Sequence, residues 1–121
     1  MKAILINSET CQVTEVEYNG NWESISTWIG NKCDTFTAVQ LYENGDTAYV
    51  DDEGLFNGTI TAFKHENYPD PLVGNALILG TDEIGESVDV STPLSQVQKD
   101  VFAWGHLTDL ASTKMQSNCG D

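Results

Sequence analysis

The 121-residue chain carries five Lys, no Arg and nineteen Asp or Glu, a net charge of −14, with 40% apolar and 9% aromatic residues. That length suits one domain able to bury a core without staples, and the apolar content excludes wholesale disorder. The charge excludes phosphate backbones and anionic membranes as partners, because the chain has too few cations to displace their counterions. It points instead to cationic partners such as a basic protein surface, a metal ion or a basic ligand. The plain alternative is that the charge only keeps a small protein soluble.

In chain order, residues 3–6 form a short apolar run of strand type. Residues 11–18 then alternate, with Val13, Glu15 and Glu17 on one face and Thr14, Val16 and Tyr18 on the other. The two segments are expected to pair antiparallel. Asn19-Gly20-Asn21 is turn chemistry, after which Trp22, Ile25, Trp28 and Ile29 recur at helical spacing and Gly30 is placed as a stop. At that spacing the tryptophans read as core rather than as a ligand platform. Residues 35–42 suggest a strand, Asn44-Gly45 a hairpin, and residues 47–50 the returning strand.

Asp51-Asp52-Glu53-Gly54 follows as an acidic turn. Residues 55–71 are the least regular stretch, with a short strand suggested at 59–63. Leu77-Ile78-Leu79 reads as a central strand buried on both faces. Asp82, Glu83 and Glu86 lie in a second acidic loop, and Val88 and Val90 suggest one more short strand. Thr92-Pro93 opens a helix whose apolar face is Leu94, Val97, Val101 and Trp104. The expected fold is therefore α+β: a single, mostly antiparallel curved sheet with about two helices packed on one face. Residues 1–111 form the domain and residues 112–121 a frayed polar tail.

This order of segments resembles a family of domains of unknown function found in bacteriophages, plasmids and some bacteria. The resemblance rests on Lys2-Ala3-Ile4-Leu5-Ile6, on the helix from Trp22 to Gly30, and on Tyr49-Val50-Asp51-Asp52-Glu53-Gly54-Leu55. It continues through the segment from Pro71 to Asp82 and covers the chain to about Glu86. It implies a small accessory protein of a mobile element, made in the host cytoplasm, and implies no catalytic residue.

Cys11, Cys33 and Cys119 are odd in number and widely spaced, with no CxxC, and His65 and His106 stand in no zinc-like spacing with them. Free thiols in a reducing cytoplasm are the expectation. The N-terminal apolar run is too short for a signal peptide, and no apolar run reaches the length of a membrane span. Neither acidic loop has the EF-hand pattern, and no glycine loop has the P-loop or Rossmann pattern. No nucleophile has a base beside it in sequence. No cofactor and no metal site are therefore expected, and no catalytic residue is nominated.

The functional reading is a non-enzymatic protein of the host cytoplasm that binds a basic host protein surface. Its nominated contact residues are Asp51, Asp52, Glu53, Asp82, Glu83 and Glu86, merged into one patch if both loops leave the same sheet edge. Carboxylates so displayed can occupy a cationic DNA-binding groove, as a DNA mimic of anti-restriction type. A pocket for a small molecule or nucleotide, lined by Trp22, Trp28, Trp104, Tyr49 and Phe63, is the alternative. A small hydrolase using paired carboxylates ranks last.

Overall fold

The computed structural model describes residues 1–21, 24–29, 36–51 and 61–106. The first apolar run forms β1 (Lys2–Asn7) and the alternating segment forms β2 (Gln12–Glu17), paired antiparallel from Lys2↔Glu17 to Asn7↔Gln12. The turn between them is built by side chain and backbone together. The Asn7 Oδ1 accepts the backbone N–H groups of Glu9 and Thr10, and Cys11 closes the turn at φ 58°.

A short helix, α1 (Ile25–Ile29), is followed by β3 (Phe36–Gln40) and β4 (Thr47–Asp51), which pair antiparallel. The expected hairpin is present, but its connection is the six-residue loop 41–46 rather than a two-residue turn. β5 (Thr61–His65) lies within the stretch read as least regular. β6 (Leu72–Val73) and β7 (Ala76–Thr81) follow it. β8 (Ser87–Val88), α2 (Leu94–Asp100) and β9 (Val101–His106) complete the described elements.

The strands do not form one curved sheet. One six-stranded sheet has the order β2-β1-β7-β4-β3, with β8 added against the end of β7; a second has the order β6-β5-β9. All the recorded pairings are antiparallel. The α+β expectation is thus corrected to a mostly β architecture, with two sheets and two short helices among the described residues. The chain passes from the second sheet to the first at Gly74, whose φ of 81° gives a sharp corner between β6 and β7.

β7 explains why one sheet is not enough. Its burial is continuous, so it presents apolar groups to both faces. Ala76 and Ile78 join Ile4, Ile6, Val50, Phe63, Leu72 and Val97 in a core between the large sheet, the small sheet and α2. Leu77 and Leu79 join Ala3, Tyr18, Ile25 and Ile29 in a second core under α1. The helices therefore cover opposite faces of the large sheet, and the expectation that they share one face is overturned by these two clusters. Leu77-Ile78-Leu79 is central and buried on both sides, as its composition predicts.

The largest correction lies at the second helix. The expected helical face ran through Val101 and Trp104, but α2 ends at Asp100 and residues 101–106 are strand. Val101-Phe102-Ala103-Trp104 alternates buried and more exposed positions, and this segment pairs with β5. β-Branched and aromatic residues on a pleated surface, with a waiting partner strand, outweigh the continuation of a short helix.

Candidate functional site

The register of β4 on β7 places the nominated acids. Thr47 faces Leu79 and Val50 faces Ala76, so the strands are neighbours but antiparallel. Asp51 then lies at one end of the large sheet and Asp82 at the other, roughly 20 Å apart at the usual rise per strand residue. The merged patch is not formed. Asp52 and Glu53 lie outside the described residues.

The Asp82 end gathers other acids instead. Lys2 of β1 pairs with Glu17 and accepts a backbone bond from Val90, while its own N–H donates to the Asp89 carboxylate at 2.9 Å. Gly80 sits so close to this passing chain that a Cβ there would meet the Asp89 carbonyl oxygen at 2.3 Å. The loop 41–46 lies alongside, with Gly45 against the Thr81 carbonyl. Glu17, Glu43, Asp82, Glu83, Glu86 and Asp89 therefore share one end of the sheet, and all but Asp82 are exposed.

Asp82 shapes its own turn, its Oδ1 accepting the N–H groups of Ile84 and Glu86 at 3.0 and 2.8 Å. That turn holds Ile84 out at 79% exposure, the largest value among the exposed large hydrophobics described. The amino terminus, also at this end, donates to Glu17 at 3.2 Å.

Behind this end lie two buried carboxylates that the sequence reading did not single out. Asp46, fully buried, accepts the N–H of Ser91 at 3.1 Å and of Thr92 at 2.6 Å, and the Thr92 hydroxyl. It ties the lead-in of α2 to the hairpin loop through charge-assisted bonds, with no cation beside it in these contacts. Asp100, at the end of α2, accepts from the Tyr42 hydroxyl at 2.9 Å and from Gln96 Nε2 at 2.9 Å. Its signal in the sequence is its place three residues after Val97, on the buried side of the helix.

Tyr42 also meets His65 Nε2 at 2.8 Å, with the two rings edge-on. His65 Nδ1 accepts the Asn67 N–H at 3.0 Å, which assigns the ring proton to Nε2. Nε2 thus donates to the Tyr42 hydroxyl, which in turn donates to Asp100. Burial, and then the bond to Asp100 and the charges of Asp100 and Asp46, push the Tyr42 phenol far above its ordinary range. Burial likewise holds His65 below the ordinary histidine value, against the opposing pull of Asp100 and Glu66. Resembling a proton relay in composition, the trio has neither a free basic nitrogen nor an ionisable hydroxyl in this arrangement.

An open groove of about 530 Å³ runs beside Tyr42, lined by Gln40, Leu41, Glu43 and Asn67 as well. The aromatics nominated for a ligand pocket do not converge. Trp28 and Tyr49 pack in the core under α1, Phe63 and Trp104 in the core between the sheets, and Trp22 lies outside the described residues. Among the described residues no group of three or more His, Cys, Asp or Glu is placed to hold a metal ion.

Cys11 is disulfide-bonded, so the expectation of three free thiols is corrected. With it goes the thiol argument for a reducing compartment. No described helix is long and apolar enough to cross a membrane.

These features define an acidic, two-sheet β domain with six carboxylates gathered at one end of its larger sheet. The chain belongs to a family described as a domain of unknown function, DUF3846, whose model matches residues 1–103. The match reaches through α2 and into β9, further than the sequence resemblance that ended near Glu86. No curated protein and no solved structure matches the chain.

Proposed function

We propose that this domain is a non-enzymatic acidic binding module that engages a basic protein surface through its Asp82 end. The observation that carries the reading is the shared placement of Glu17, Glu43, Glu83, Glu86 and Asp89 at the sheet end from which Ile84 protrudes. An exposed apolar anchor beside charged groups suits a protein interface: the anchor supplies affinity and the charges supply steering and register. The net charge of −14 supports it, since a strongly one-signed field speeds encounter with a cationic partner.

The engaged end is accordingly narrower than the nominated set. Asp82, Glu83 and Glu86 remain in it, whereas Asp51 stands at the opposite end. In a phage or related mobile element, the partner in this proposal is a host DNA-binding protein. Its cationic groove accepts the carboxylates in place of phosphates, and binding excludes DNA by competition.

The test is capture from host lysate with three baits: the wild-type chain, a variant neutralised at Glu43, Asp82, Glu83 and Glu86, and one neutralised at Asp51, Asp52 and Glu53. The reading requires a DNA-binding protein that is retained by wild type, lost with the first variant, kept with the second, released by salt and displaced by duplex DNA. A partner indifferent to the first variant defeats the proposed surface, and a partner that DNA does not displace defeats the mimicry.

A further inference from the structure

We propose that His65 is a pH-operated latch: its neutral ring locks the turn after β5 to the loop 41–46 and to the end of α2, and protonation releases that turn. The inference is independent of what the acidic end binds.

The latch is assembled from three parts of the chain. β5 ends in an irregularity between Lys64 and His65, and His65 is buried at 1% exposure. Its Nε2 meets Tyr42 of the hairpin loop, and Tyr42 meets Asp100 of α2. The Glu66 N–H donates to the Asp100 carbonyl at 2.9 Å and the Tyr68 N–H to the His65 carbonyl at 3.1 Å. The Asn67 side chain reaches back to the Leu41 carbonyl at 2.7 Å, so the turn is fastened directly to the loop that borders the groove.

The neutral ring has a single lone pair in its plane, at Nδ1, and that lone pair already receives the Asn67 N–H. A proton taken up from solvent at Nδ1 sets two donors face to face. The Asn67 peptide must then turn away, and its side chain leaves the Leu41 carbonyl with it. The groove between Tyr42, Glu43 and Asn67 opens as a result.

The ionisable groups that face or act on the ring are Tyr42 from the hairpin loop, Glu66 from the following turn and Asp100 from α2. On β9 its register partner is Val101. Burial disfavours the imidazolium and the acids favour it; burial prevails, so the latch is closed at neutral pH and yields on acidification.

The test is an NMR titration of the full chain from pH 7.5 to 4.5, following the ring nitrogens of His65 and the exchange of the Asn67 and Tyr68 amides. The expected result is an Nε2–H tautomer at neutral pH and a ring transition below the ordinary histidine midpoint. Amide exchange, corrected for intrinsic pH dependence, should accelerate by up to about tenfold per unit fall in pH between the ordinary histidine midpoint and that transition, as coupling to one proton requires. His65→Asn keeps an acceptor near the Nδ1 position but cannot titrate, and should remove this acceleration.

Three results overturn the proposal. One is a ring transition at or above the ordinary midpoint. Another is a transition without change at Asn67. The third is a ring that stays neutral until the whole domain unfolds.

Discussion

At the residue scale, the fold leans on side chains that look like ordinary turn residues in the sequence. Asp46 follows Asn-Gly and reads as hairpin chemistry, yet it is buried and holds the start of α2 by three donors. Asp46→Asn presents an amide to some of those donors and should cost about 2 kcal/mol in urea unfolding, the scale of lost bonds to a charged group. An unchanged midpoint shows that the bonds are replaced by water. Gly80→Ala places a methyl into the Asp89 carbonyl and should cost about 1–3 kcal/mol, in the range for overpacking.

His65 adds a pH dependence whose sign follows from its lowered value. Unfolded, it titrates near the ordinary ~6.5; folded, it titrates lower. Between those values the unfolded state holds more protons, so its contribution is complete above about 6.5 and declines as pH falls toward the folded value. Urea midpoints measured from pH 7.5 downward should therefore drop below that point, and less steeply in His65→Asn.

At the element scale, α1 spans five residues and has no independent stability, so it exists because Ile25 and Ile29 dock on the large sheet. Truncating either to Ala should cost about 2–4 kcal/mol by the usual core scale, and loss of α1 should show in the exchange of its amides. The half-buried Trp28 should cost less than either, read in the same unfolding series. Much of this scale was legible beforehand. The alternation of residues 12–17 specifies a strand with Val13 and Val16 on opposite faces, and those residues join the two separate cores.

The α2–β9 boundary was not legible, for a physical reason. Val97, Val101 and Trp104 fit a helical stripe, whereas Val101 and Ala103 fit a strand, and local periodicity does not choose between them. The choice is made by β5, more than thirty residues earlier in sequence, through its register with Val101 and Ala103.

At the scale of the whole molecule, the charge acts on folding and on association with opposite signs. Self-repulsion among nineteen acids opposes compaction, so adding salt from about 10 mM to 150 mM should raise the melting temperature as the Debye length shortens. The same salt should weaken the proposed complex with a basic partner. A calorimetric series beside a binding series separates the two effects, and parallel salt responses count against an electrostatic interface.

The sequence by itself determined most strand-forming segments of the large sheet, the central place of Leu77-Ile78-Leu79 and the one-signed field, because these follow from side-chain periodicity and formal charge. It held the acids of the candidate site but not their grouping. Only the tertiary structure decided that Asp51 and Asp82 stand at opposite ends, because the direction of β4 against β7 is a pairing property that neither strand encodes alone. The tertiary structure also decided the second sheet, the opposite placement of the helices and the Tyr42–His65–Asp100 cluster. Each depends on contacts between distant segments, where packing of an apolar face against a partner outweighs the local preference of either segment.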